Sequence, residues 1–240
     1  MGPAQPQRYG SLRHQNHQAL SLSPSAAALT STPSPMALPP LPKFYVPLAL
    51  GKDAMTDGRQ LLVKHGSTWT PTPLGLSAVG ELEVGQGQEQ ALYVSGEDVL
   101  VAGGIYPLSQ GPRLAEVPAG TTMFTRTTSG ALLYLEGTAL RVRSGVVDAV
   151  PLICPDTGRP YEGVVGLASV QELVGVLVRG DDQAAQLHLW DMGKGTRTKV
   201  YALPSTDVPL ALELETSPAL AVVLAALDPH GAVHLNRYLL

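Results

Sequence analysis

Cysteine is almost missing from this sequence: 240 residues hold one, Cys154. A lone thiol excludes an intramolecular disulfide and a zinc site built on paired cysteines. Aromatic residues are scarce at 5%, so a core must be filled by Leu, Val and Ala. Charged residues make up only 15%. Uncharged polar groups, or apolar groups at an interface, must therefore cover the surface. No apolar run approaches the roughly 20 residues that a helical bilayer span needs. The longest, 219–227, stops at Asp228-Pro229. A Gly-x-Ser-x-Gly elbow, a P-loop and a dinucleotide fingerprint are all lacking, so no motif points to a nucleophile or a cofactor.

Acid is lacking from the first 52 residues, which carry Arg8, Arg13, Lys43 and Lys52. Residues 53–240 hold the remaining 12 basic and all 20 acidic side chains. An acidic body argues against nucleic acid as a partner, because that binding needs clustered Lys and Arg to displace counterions.

Proline, serine and alanine are plentiful at the start. Residues 1–43 include Pro33, Pro35, Pro39, Pro40 and Pro42. Such a stretch buries too little apolar area to offset its backbone entropy, and it reads as a disordered tail. Two other readings stand beside this one. Translation could begin at Met36, or residues 1–35 could target an organelle, since they lack acid and contain Arg and Ser. A cytoplasmic location is the first expectation for the chain and an organelle the second.

From Phe44 onward the texture changes, and 44–240 reads as one β domain. Runs of four to eight β-formers alternate with Gly, Pro, Asp and Ser clusters, the pattern of strands joined by tight turns. Four hairpins stand out: 91–102 around Ser95-Gly96-Glu97-Asp98, 131–143 around Glu136-Gly137-Thr138, 173–190 around Gly180-Asp181-Asp182, and 219–235 around Asp228-Pro229-His230-Gly231. In each, Gly supplies a positive φ or Asp and Pro start the reversal. Second strands begin near Leu61, Val99, Leu140, Leu187 and Val233, at spacings of 38, 41, 47 and 46. Leading strands are expected at 79–84, 121–126, 164–169 and 208–214. Following strands are expected at 68–72, 113–117, 146–153 and 197–203. Four strands per period of this size predict an all-β propeller-like array of about five antiparallel units. A β-sandwich is the alternative.

The stretch Leu187-His188-Leu189-Trp190-Asp191-Met192-Gly193 resembles the end of a WD40 repeat. The resemblance implies that Trp190 packs between neighbouring sheets and that Asp191 joins a hydrogen-bond network with a histidine. The other units resemble that family by spacing alone. The array looks incomplete. The first unit is expected to lack its innermost strand, because Pro-rich sequence precedes Tyr45, and the last to lack its outer strand. A strand at 44–50, or a partner, is expected to complete the last sheet and so protect its edge.

Candidate chemistry is thin. His230 and His234 lie four apart, one in a turn and one in a strand, with only Asp228 beside them as a further donor. His65 precedes Gly66 at a strand end. Strand alternation sets His188 on the face opposite Leu187 and Leu189. Asp181 and Asp182 read as a solvated turn, and Glu81 and Glu83 as a wet strand face. Gly85-Gln86-Gly87-Gln88 reads as a loop. Cys154 has no neighbouring base in sequence and reads as a small buried hydrophobe. Trp69 is a weak candidate for a partner anchor, balanced against core packing. No catalytic, cofactor or metal residue is assigned. The expectation is a non-catalytic scaffold that offers loops or an open sheet edge to protein partners. The alternatives are a structural subunit of a larger assembly, such as a viral tail or envelope complex, and a ligand-binding or enzymatic propeller.

Overall fold

The computed structural model describes residues 21–39, 41, 45–72, 92–109, 111–182, 184–204 and 206–240. Every regular element among them is a strand, so none is a helix long and apolar enough to cross a membrane. Two short strands come from the leader: β1 (Ala27–Ala28) and β2 (Ser34–Pro35).

The first blade is β3 (Ala49–Gly51), β4 (Ala54–Thr56), β5 (Leu61–His65) and β6 (Thr68–Thr72). The second is β7 (Leu92–Ser95), β8 (Asp98–Val101), β9 (Gly104–Pro107) and β10 (Ala115–Glu116). The third is β11 (Thr121–Arg126), β12 (Leu132–Glu136), β13 (Ala139–Arg143) and β14 (Val150–Pro151). A small hairpin follows, β15 (Ile153–Cys154) with β16 (Arg159–Pro160). The fourth blade is β17 (Val164–Val170), β18 (Leu173–Arg179), β19 (Ala185–Asp191) and β20 (Thr196–Ala202). The fifth is β21 (Val208–Glu215), β22 (Ala221–Leu227) and β23 (Val233–Leu239).

Each blade is a simple antiparallel meander, and the inner strands β3, β7, β11, β17 and β21 touch one another in turn, β21 also meeting β3. Among the described residues, no ladder runs from one blade to the next. What joins the blades is packing between their faces. One core unites blades 1, 2 and 3 around Val94, Leu100, Ile105 and Phe124. Others lie between blades 3 and 4 (Leu133, Leu140, Leu167, Val176), between 4 and 5 (Leu177, Leu187, Leu212), and between 5 and 1 (Leu50, Met55, Val223, Ala225). Each fully buried aliphatic side chain contributes about 1.5–3 kcal/mol. Both faces of a blade are covered, so middle strands such as β22, Ala221-Val222-Val223-Leu224-Ala225-Ala226, are apolar throughout.

Blades converge toward the centre, and the inner strands carry small residues there. A Cβ on Gly51 would stand 2.8 Å from the Gly96 carbonyl oxygen, and one on Gly166 would stand 2.6 Å from Leu212 Cδ2. Tyr93 of β7 reaches past blade 3 to β17, where its hydroxyl donates to the Leu167 carbonyl (2.8 Å) and accepts from the Leu167 N–H (2.9 Å). Beside it, Ser95 meets Thr125 (2.8 Å), Thr125 donates to Ser169 (2.8 Å), and Ser169 donates to the Arg126 carbonyl (2.8 Å). This hydroxyl chain ties the inner strands of blades 2, 3 and 4.

Three expectations are corrected. Blade 1 does have an innermost strand, β3, whose three residues are all buried. Its shortness hid it among the prolines. The last sheet is completed by β2 through Ser34↔Arg237 and Pro35↔Asn236, rather than by 44–50. In blade 2 the hairpin at 91–102 supplies the first and second strands, because β7 is the one that meets β3 and β11. The leading strand expected at 79–84 lies outside the described residues. Leader residues 21–39 lie against the blades, with Ser21 and Ser23 buried.

Candidate functional site

A buried polar cluster lies between blades 3 and 4, and it is centred on β19. Alternation sends Leu187 and Leu189 toward blade 5 and His188 and Trp190 to the opposite face. His188 is fully buried. Its Nε2 lies 3.0 Å from Gln186 Oε1, and its Nδ1 lies 2.8 Å from the Tyr161 hydroxyl and 3.3 Å from Arg197 Nη1. An amide oxygen only accepts, so Nε2 carries the proton and Nδ1 is the acceptor. Tyr161 accordingly donates to Nδ1 and accepts from Trp190 Nε1 at 3.0 Å. The three rings meet edge to face.

Burial, aided by the nearby Arg197 charge, lowers the His188 pKa to about 4. The imidazole is therefore neutral near pH 7. Burial also pushes the Tyr161 hydroxyl up to about 12. Arg197 pairs with Asp156, and its hydrogen bond holds the Asp156 carboxyl below the usual carboxylate range. Both ring nitrogens of His188 are engaged, so the cluster offers no free base. Its geometry fixes the β15–β16 hairpin segment against blade 4 and, through Gln186, reaches the leader.

Sequence reasoning placed Trp190 and Asp191 in one structural unit. The structure buries Trp190 in the core between blades 3 and 4. Asp191 faces the β19–β20 turn, where its Oδ1 accepts from the Lys194 N–H at 3.2 Å. The histidine network is built on His188, and its tyrosine, Tyr161, was not singled out by sequence. Tyr161 follows the β15–β16 hairpin, and no local pattern marks it. Trp69 is half-buried and packs partly against the core between blades 5 and 1.

The other candidates stay apart. Asp228 Oδ1 accepts from His230 N and Ala232 N, both at 2.8 Å, while Oδ2 meets His234 Nε2 at 2.8 Å. The hydrogen bond from His234, with those from the backbone, holds this carboxyl below its ordinary pKa, as a turn cap would. Asp182 accepts from Ala184 N in its own exposed turn. His65 is exposed. Cys154 is fully buried within the blade 3–4 core. Glu81, Glu83 and 85–88 lie outside the described residues. Among the described residues, no three His, Cys, Asp or Glu side chains converge as a metal site would need. On β21, burial and the neighbouring Glu215 and Asp53 lift the Glu213 pKa to about 8, with Lys52 opposing them.

One surface stands out. Val146 is fully exposed and Val147, Val150 and Ile153 are partly so, on and beside the β13–β14 connection. Next to them is a cavity of about 540 Å³ lined by Glu116, Pro118, Tyr134, Arg143, Asp148 and Ala149, among others. Arg143 Nη2 donates to the Glu116 carbonyl at 2.7 Å, holding blade 2 to blade 3 across its floor. The outermost strands here, β10 and β14, are two residues long, and each has a single ladder neighbour. On blades 4 and 5 the corresponding edges are covered by β1 and β2.

No protein-family model matches the chain, and no curated protein matches it. Among solved structures, a chain in the crystal structure of the mitotic checkpoint complex is similar at 12% identity and TM-score 0.40, over 91% of this chain and 97% of that one. The crystal structure of BBS1N in complex with ARL6DN is similar at 15% identity and TM-score 0.31, over 78% of this chain and 60% of that one. The fold assignment stands on the strand order and blade packing of the molecule itself. By that measure the described residues form five antiparallel blades in a β-propeller-like arrangement.

Proposed function

We propose that this propeller is a protein-interaction scaffold and that a partner docks on the outer side of blades 2 and 3. The observation that carries the reading is the exposed aliphatic group Val146, Val147, Val150 and Ile153 beside an open cavity. Exposed apolar residues grouped around a concavity favour burial by another protein. The short open edges of β10 and β14 add backbone donors and acceptors. Arg143 and Glu116 supply a polar rim that would orient the partner. Trp69 is a lesser anchor at the edge of blade 1.

The test is crosslinking mass spectrometry on the full chain in its native extract, with wild type beside a V146D/V147D variant. Crosslinks to a partner are expected from residues 113–153 in wild type and lost in the variant. The melting temperature should stay unchanged, because surface substitutions cost only about 0.5 kcal/mol or less. An inert monomer by native mass spectrometry, with the same crosslinks in both proteins, overturns the reading.

A further inference from the structure

The leader segment 21–29 touches the body in two different ways. Near its start, three residues are read individually. Ser21 and Ser23 are buried, although Pro24 and 26–28 are exposed or half-exposed. Gln186 clamps Ser23 through its main chain, accepting from the N–H at 2.7 Å and donating to the carbonyl at 2.9 Å. The Ser21 hydroxyl accepts from the Glu162 N–H at 2.6 Å. Leu22, between them, packs against the core of blades 3 and 4. Further along, Ala27 and Ala28 run parallel to Tyr201 and Ala202 at the edge of blade 4, and Leu29 N–H donates to the Ala202 carbonyl at 3.1 Å.

We propose that the outer edge of blade 4 is a binding site for an extended peptide with the pattern Ser-apolar-small, and that this chain's own residues 21–29 are its resident, releasable ligand. The contacts divide as such sites do. A backbone ladder gives sequence-independent affinity, and a few side-chain pockets give the readout. The anchors are few and the ladder is two residues long with both strand residues exposed. A ladder so short is marginal by itself. Local opening of this segment therefore costs far less than unfolding the domain. On release, Gln186 exchanges the Ser23 main chain for water, while His188 Nε2 keeps its hold on Gln186 Oε1. The receptor thus stays formed.

The test uses the full-length chain in three forms: wild type, S23P, and S23P/Q186L. Proline at 23 removes the N–H that Gln186 receives, so it frees the groove. A fluorescent peptide of residues 19–30 is titrated against each. Wild type should bind it weakly, since the tether competes. S23P should bind at least tenfold more tightly, and S23P/Q186L should lose that gain. Hydrogen exchange of wild type is the second measurement. The Ser23 and Leu29 amides should exchange at least 100-fold faster than those of β19. The proposal is overturned if S23P gains no peptide affinity, if Q186L leaves that gain intact, or if the Ser23 and Leu29 amides exchange only as slowly as β19. A doubled mass in solution, from leaders swapped between copies, would overturn the assignment of the resident to the same chain.

Discussion

Gln186 holds Ser23 by both ends of its peptide frame, across 163 residues of sequence. The same amide oxygen also accepts from His188, so one side chain joins the leader to the interior of blade 4. Replacing Gln186 with Leu keeps the bulk and strands the Ser23 donor and His188 Nε2–H. Each buried group left unpaired costs about 1–3 kcal/mol. Denaturant unfolding of Q186L should show a loss of about 2–4 kcal/mol. A loss under 0.5 kcal/mol would mean that water replaces the clamp at no cost.

His188 gives the molecule a pH dependence whose sign follows from burial. Its folded pKa of about 4 lies below the ordinary imidazole value of 6.5. Between these values the unfolded chain binds the additional proton, so stability falls as pH drops from about 6.5 to 4. The loss attributable to this group is at most about 3 kcal/mol. The H188Q variant should be less stable at pH 7, and its stability should change less across that window. Equal slopes for the two proteins would exclude His188 as the source.

Trp190 and Tyr161 should behave as a coupled pair. W190F removes the N–H that Tyr161 accepts, and Y161F removes the hydroxyl that serves both Trp190 and His188. Each should cost about 1–2 kcal/mol. A double-mutant cycle should give a coupling of about 1 kcal/mol. Additive losses would show that the two rings contribute by packing alone.

Gly166 should tolerate no side chain while Leu212 keeps its place. The Cβ of G166A would collide with Leu212 Cδ2, and Leu177 lies 3.3 Å away. Overpacking of this kind costs about 1–3 kcal/mol. Pairing G166A with L212V should recover part of that loss relative to the sum of the single variants. No recovery would place the strain in the backbone.

The middle strands were the legible part of the fold. The hairpins expected at 131–143, 173–190 and 219–235 show β-formers flanking Gly or Asp-Pro turns, and the structure pairs their strands as expected. Inner strands were legible where they are long, as at 121–126, 164–170 and 208–215. They were missed at Ala49–Gly51, where three residues give no period to read. Alternation also placed His188 opposite Leu187 and Leu189. It gave no sign that both faces of β19 are buried, because that depends on the neighbouring blades.

The sequence by itself determined an all-β chain of repeating four-stranded units, since hydropathy alternation and turn chemistry act between residues close in the chain. Only the tertiary structure decided that Ser21–Pro35 would cap two blade edges, that Tyr161 and Gln186 would complete the surroundings of His188, and that Val146 and Val147 would stay uncovered. Those outcomes join groups far apart in sequence, such as Ser23 with Gln186 and Ser34 with Arg237. Such pairings are chosen by which donors, acceptors and apolar faces remain unsatisfied after the blades have packed, and a local pattern carries no record of that.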